Sequence, residues 1–230
     1  MKKIIFIIVL FLIMAPLTAV YGKPYNISVS QFVEHPALDA VLKGFKDYMK
    51  EKEIEITYKV HNAQANMATA GQIGTQIVGE KPDMIIAIAT PSAQTCAQAL
   101  KKAPHMKNIP MLFTAVTDPL MAGLVNDLKR PGENITGVSD MLPLDKHMEM
   151  IREFVPGLKR LGVLYNSGET NSISSVKLLR EVGRKMGYEV VDATVSKTSE
   201  VYQAAKSLVG KVDAVFVPTD NTVVESLESA

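Results

Sequence analysis

The sequence contains no tryptophan, one cysteine and four histidines, and its charges nearly balance at a formal net charge of +1. A single cysteine, Cys96, excludes an internal disulfide and any metal site built from several thiolates. His35, His61, His105 and His147 lie far apart, with no metal-ligand spacing between them. Balanced charge leaves no strong field of one sign to hold nucleic acid or an anionic membrane surface. Without tryptophan, aromatic stacking on any ligand falls to Phe32, Tyr165 or another Phe or Tyr. Glycine is missing where a dinucleotide site needs it: the loop after the first strand pattern reads "QFVEHPALD", with no Gly-x-Gly-x-x-Gly. No Gly-x-Ser-x-Gly nucleophile elbow occurs either. The methionines are scattered without regular spacing, as core packing predicts. The residues therefore predict a non-enzyme with no cofactor, no metal and no nucleic-acid partner.

Long apolar runs are confined to the start, "MKKIIFIIVLFLIMAPLTAVYG". Lys2 and Lys3 precede an apolar stretch from Ile4 to Met14, and small residues follow near Gly22, the pattern of a secretory signal over residues 1–22. The run is short for a bilayer span, which needs about 20 residues. An uncleaved anchor is the alternative, and no cysteine stands near the cleavage region to carry a lipid. Without Lys2 and Lys3 the chain holds 23 basic and 24 acidic residues, and it is expected to be exported and soluble, in the periplasm or another extracytoplasmic space. Hydrophobic content of 47% and charged content of 21% fit a globular protein.

From Pro24 onward strand and helix patterns alternate. "YNISVSQF" alternates apolar and polar residues. Pro36 suits a first helical turn, after which Leu38, Val41, Leu42, Phe45, Tyr48 and Met49 mark a helical face. Asn66 is a candidate cap for a helix with Ala70, Ile73 and Ile77 on its inner face. "DMIIAIA" is apolar throughout, as a strand covered on both faces requires. A similar succession begins at Leu161, and Gly187 suits a helix C-terminus. "KPDMIIAIATPSAQ" and "KVDAVFVPTDNTV" share a Lys-x-Asp leading an apolar run into a turn with proline and hydroxyls. Two βαβαβ halves follow, hence an α/β fold of two doubly wound parallel-sheet lobes: residues 23–136, then 137–230, with the crossover near "GENITGVSDMLP".

Ligands of open parallel sheets sit beyond the carboxyl ends of the strands, and two facing lobes make a cleft with a hinge. Thr90-Pro91-Ser92-Ala93 falls at such a strand end and at a helix N-terminus, where N–H groups favour an anionic group. Thr90 or Ser92 either caps this helix or meets a ligand. Cys96 lies farther along the same helix and reads as a buried, inert thiol.

The stretches "SQFVEHPALDAVLKGF", "IAIATPSAQ", "LFTAVTDPLMAGLV", "GENITGVSD", "LGVLYNSGETNS" and "VPTDNTVVES" resemble the tryptophan/tyrosine-type family of ABC-transporter substrate-binding proteins, in order and across the chain beyond the leader. The resemblance implies a type I periplasmic-binding-protein fold that closes on a small ligand and delivers it to a membrane permease. It also implies an amino acid as ligand, with an aromatic side chain favoured. On the matching loops, Phe32 and Glu34 lie at the cleft mouth of lobe one. Thr117 is a candidate for a carboxylate or amine, while Asp118 before Pro119 either meets the ligand or shapes a turn. In lobe two Asn166, Ser167 and Glu169 are candidates to reach the ligand, and Asn171 to reach it or, more readily, to cap the next helix. Asp220, followed by Asn221, either caps the last helix or takes the ligand's ammonium opposite Thr90 and Ser92. The family pattern continues beyond "VVESLESA", so the second lobe is expected to be incomplete. The alternative function is the ligand-sensing ectodomain of a membrane receptor.

Overall fold

The computed structural model describes residues 23–227, so the expected signal segment, 1–22, lies outside the described residues. Five strands form the first sheet: β1 (Tyr25–Gln31), β2 (Ile56–Asn62), β3 (Met84–Ile88), β4 (Met111–Val116) and β5 (Ile135–Ser139). They pair in parallel in the order β2-β1-β3-β4-β5. Three helices belong to this lobe: α1 (Pro36–Glu51), α2 (Met67–Glu80) and α3 (Thr90–Lys101). The second lobe begins with α4 (Leu144–Phe154). It continues through β6 (Arg160–Asn166), α5 (Thr170–Met186), β7 (Glu189–Val195), α6 (Val201–Leu208), β8 (Ala214–Phe216) and α7 (Asn221–Glu225). Its strands are parallel in the order β7-β6-β8, which repeats the first three places of the other sheet.

The repeated Lys-x-Asp now has a physical account. Asp83 precedes β3 and its Oδ2 accepts from the Asn26 N–H at 2.7 Å. Asp213 precedes β8 and its Oδ2 accepts from the N–H groups of Lys159 and Arg160 at 2.9 and 2.7 Å. In each lobe this aspartate ties the third strand to the start of the first. Asn66 caps α2, accepting from the Thr69 N–H at 3.0 Å, and Gly187 ends α5 at a φ of 79°.

β3 is buried on both faces, as its apolar run requires. β1 departs from its alternating pattern. That pattern predicts a half-exposed strand, yet β1 lies between β2 and β3 with Ser28, Ser30 and Gln31 buried. Each of these polar side chains is paired: Ser28 Oγ donates to Glu80 Oε2 at 2.5 Å, Ser30 Oγ to Ser92 Oγ at 3.2 Å, and Gln31 Nε2 to Asp39 Oδ1 at 2.7 Å. On α1 the inward face is Leu38 and Leu42, while Tyr48 is exposed. On α5 Ile173 likewise faces out, and Val176, Leu179 and Val182 pack inward.

Two strands correct the sequence reading. "DAVFVP" reads as a buried strand, but β8 has three paired residues, Val215 is half exposed, and no further strand pairs beside β8 among the described residues. β5 lies in the segment expected to be the crossover and spans the 136/137 boundary. Its exposed edge, with Val138 facing out, hides the strand pattern. Gly137 permits its approach to β4, since a Cβ there would lie 2.0 Å from the Phe113 carbonyl oxygen.

Candidate functional site: the cleft between the lobes

The carboxyl ends of β1, β3 and β4 form the lobe-one wall. Phe32, immediately after β1, is buried, and its N–H donates to the Ile88 carbonyl at 3.3 Å. His35 caps α1, with Nδ1 accepting from the Ala37 N–H at 3.2 Å. β3 is followed by Ala89, which holds a positive φ of 76°, a conformation that costs a non-glycine residue of order 1–3 kcal/mol and persists where the surroundings demand it. Its N–H donates to the Thr114 carbonyl at 3.0 Å, so the next residue starts α3 with almost no loop. α3 has no side-chain cap, Pro91 brings no N–H, and the buried Thr90 Oγ1 has no partner among the described residues. Neither Thr90 nor Ser92 caps the helix. Cys96, deeper in α3, is buried, and burial pushes its thiol up to about 11, so it is an inert packing group.

The lobe-two wall is built around two buried carboxylates. Glu169 ends the loop after β6. Its Oε1 accepts from the Thr222 N–H and Oγ1, and its Oε2 from Asn171 Nδ2, the Asn221 N–H and Asn221 Nδ2, all at 2.6–3.1 Å. Asp220 Oδ1 caps α7 through the Val223 N–H at 2.8 Å, while Oδ2 accepts from the Asn166 N–H at 2.6 Å and Ser172 Oγ at 2.5 Å. Burial, and then the Glu169 charge, push the Asp220 carboxyl up to about 6. These bonds lock the loops after β6 and β8 to each other. Asn171 and Ser172 do not cap α5, whose N-cap residue is Glu169; they brace the two carboxylates instead.

The walls meet along a polar seam. Thr117 Oγ1 lies 2.8 Å from Thr219 Oγ1, Ser174 Oγ donates to Asp118 Oδ2 at 2.8 Å, and Gln94 Nε2 donates to Thr170 Oγ1 at 3.3 Å. Asp118 also shapes its turn, accepting from the Met121 N–H at 2.9 Å. Two cavities open on the seam. One, of about 280 Å³, has apolar walls from Val33, Leu38, Leu142, Val217 and Val224, with polar atoms from Thr117, Asp140, Asn171, Thr219 and Asp220. The other, of about 600 Å³, is polar, with Phe32, Asn66, Asn166, Glu169, Lys197 and Thr222 on its walls.

Of the residues expected at the site, Thr117, Asn171, Asp220 and Asn221 line the first cavity, and Phe32, Asn166, Ser167 and Glu169 the second. Asp118 joins the seam. Thr90, Pro91, Ser92 and Ala93 are buried at the start of α3 and line neither cavity, and Glu34 is exposed outside both. Asp140 was missed. It follows β5, the strand hidden from the sequence pattern, and its position at a parallel strand's carboxyl end is the signal that would have found it. Asp140 Oδ1 and Asn171 Oδ1 are buried and lack a hydrogen-bond partner among the described residues.

Two parallel α/β lobes with strand ends facing across a seam define the type I periplasmic-binding-protein fold. The chain belongs to the ABC transporter substrate binding protein family, whose model matches residues 26–229. A tyrosine-binding protein of Clostridioides difficile is 45% identical over 211 residues, which are 89% of this chain and 59% of the relative. The chain thus spans about three fifths of that curated relative's length. The structure of an ABC domain from Streptococcus pneumonia in complex with L-Trp matches with a TM-score of 0.84 at 35% identity, covering 90% of this chain and 69% of that one. The ligand-free, open structure of a substrate-binding protein with adhesive properties from Clostridium difficile is 42% identical, covers 88% and 68%, and reaches a TM-score of 0.60. The chain thus superposes more closely on the L-Trp complex than on the ligand-free, open structure, although it is more similar in sequence to the latter.

Proposed function

We propose that this chain is the solute-binding component of an ABC importer. It works outside the cytoplasm, holds a small ligand between its lobes and hands it to a membrane permease, without catalysis. An amino acid is the ligand class, and an aromatic one is favoured by the tyrosine-binding relative and the L-Trp complex. The observation that carries the reading is the interlobe cavity with apolar walls and two buried, unpartnered oxygens, Asp140 Oδ1 and Asn171 Oδ1. Its volume is near the lower end of cavities that hold small molecules, about 300–1,000 Å³. Thr117, Asp220 and Asn221 complete its lining, and the start of α3 at Thr90 and Ser92 offers donors as the lobes part. Family membership supports a carrier over a sensory ectodomain. No helix among the described residues is long and apolar enough to cross a membrane.

The test is thermal unfolding with a panel of amino acids and sugars. A ligand at about 100 times its dissociation constant adds about 2.7 kcal/mol. That raises the midpoint of a two-state chain of this size by about 5–10 °C. A shift with tyrosine, tryptophan or phenylalanine supports the reading; a cooperative transition that no member moves overturns it.

A further inference from the structure

We propose that Thr170 and Ser174 of α5, with Gln94 and Asp118 of lobe one, form a latch that sets the balance between parted and closed lobes. The latch stands outside the cavities, so these are positioning residues that tune affinity without touching a ligand. Only the effect on affinity rests on the reading of the cleft as a ligand site; the effect on the lobes does not.

Thr170 and Ser174 are four residues apart and therefore share one face of α5. Both hydroxyls reach across the seam. Thr170 Oγ1 accepts from Gln94 Nε2 at 3.3 Å, and Ser174 Oγ donates to Asp118 Oδ2 at 2.8 Å. The next serine behaves differently: Ser175 Oγ donates to the Asn171 carbonyl of its own helix at 3.0 Å. The lobe-one side is fixed in advance. Asp118 Oδ1 accepts from the Met121 N–H at 2.9 Å, and the Asp118 carbonyl accepts from the Ala122 N–H at 2.9 Å. Gln94 Nε2 also donates to the Ala122 carbonyl at 3.2 Å. One carboxylate oxygen thus holds the turn while the other points at lobe two. Groups held in place beforehand lose little freedom when their partners arrive.

The two rungs are unequal. The Ser174 rung has a carboxylate acceptor and a buried donor, so it is the stronger. The Gln94 rung joins two neutral groups and is longer. None of the four residues lines either interlobe cavity. The Thr117–Thr219 contact is different, because both threonines line the apolar cavity and would meet its occupant directly. When the lobes part, the four latch groups trade one another for water; when the lobes close, they regain the bonds. A ligand that needs both lobes binds with its intrinsic affinity scaled by the fraction of chain in the competent arrangement, so a weaker latch lowers its apparent affinity.

Two measurements on the full chain test this: small-angle X-ray scattering without ligand, and titration calorimetry with L-tyrosine. The double variant Thr170→Val/Ser174→Ala removes both hydroxyls at nearly constant volume. It should enlarge the radius of gyration of the ligand-free chain and weaken L-tyrosine by about 3- to 30-fold. Thr170→Ser keeps its hydroxyl and should behave as the unsubstituted chain does. Ser175→Ala removes a hydroxyl that bonds within α5 and should change neither quantity, which separates the latch from a general weakening of the helix. A double variant with an unchanged radius of gyration, or with unchanged affinity for L-tyrosine, overturns the latch. If the double variant fails to fold, Thr170→Val alone decides, through a smaller change of the same sign. If the unsubstituted chain binds neither L-tyrosine nor any member of the amino-acid and sugar panel, the ligand reading falls, and the ligand-free scattering still decides the latch.

Discussion

The third strand of each lobe runs into a helix, and the two junctions are built in opposite ways. In lobe one, Ala89 turns at a positive φ, α3 starts without a side-chain cap, and the buried Thr90 hydroxyl has no partner among the described residues. In lobe two, Asp220 caps α7 and Glu169 reaches across from the neighbouring loop to take the next N–H groups and side chains. The same strand order and the same preceding aspartate therefore deliver one junction that leaves polar groups open and one that satisfies them internally. A lobe whose loops are cross-braced holds its shape through its own bonds; a lobe with an unpaired hydroxyl has it free for something that enters. The difference lies in a few side chains, since the backbone topology is shared.

The comparison breaks most visibly at Glu169. Glu169→Ala strands several donors that are buried or partly buried, and it should cost about 3–5 kcal/mol in stability, read from the urea midpoint. A midpoint equal to that of the unsubstituted chain would mean that the bracing is ornamental. A smaller effect comes from pH at Asp220. Its folded carboxyl is raised from 3.8 to about 6, so between those values the folded state holds a proton that the unfolded state has released. Stability from this group is full below about pH 4 and is lost as pH rises through about 6. The unsubstituted chain should therefore gain stability relative to Asp220→Asn as pH falls from about 6 to about 4. Parallel pH profiles for the two proteins would overturn the assignment of that carboxyl. The smallest effect sharpens the lobe-one side. Thr90→Val removes an unpaired buried hydroxyl and should leave stability unchanged or raise it by up to about 1 kcal/mol, while weakening any ligand that Thr90 meets as the lobes part. A loss of stability would show that the hydroxyl already has a partner.

Much of the architecture was legible along the chain. The apolar run of β3, the Asn66 cap, Gly187 and the internal repeat are local signals, and each stands where its pattern puts it. β1 and β5 were harder for opposite reasons. β1 carries serines and a glutamine into the middle of a sheet, which works because partners distant in sequence satisfy them. β5 is an exposed edge strand of five residues with a glycine at its centre, so neither alternation nor hydrophobicity marks it. The site followed the same division. Strand-end loops could be nominated from order alone, but Asp140 was lost along with β5, and Asn171, expected as a cap, braces Glu169 instead.

The sequence by itself determined the fold class, the number of lobes and the repeated alternation of strand and helix along each of them. These follow from periodicity, caps and repetition, which act over a few residues. Only the tertiary structure decided which polar groups in those loops are used up and which are left open. Glu169 and Asp220 lie about fifty residues apart along the chain and spend their oxygens on each other's loops, whereas Asp140 and Asn171 line one cavity from different lobes with oxygens to spare. Hydrogen-bond satisfaction depends on partners that the fold brings together, and no local pattern records it.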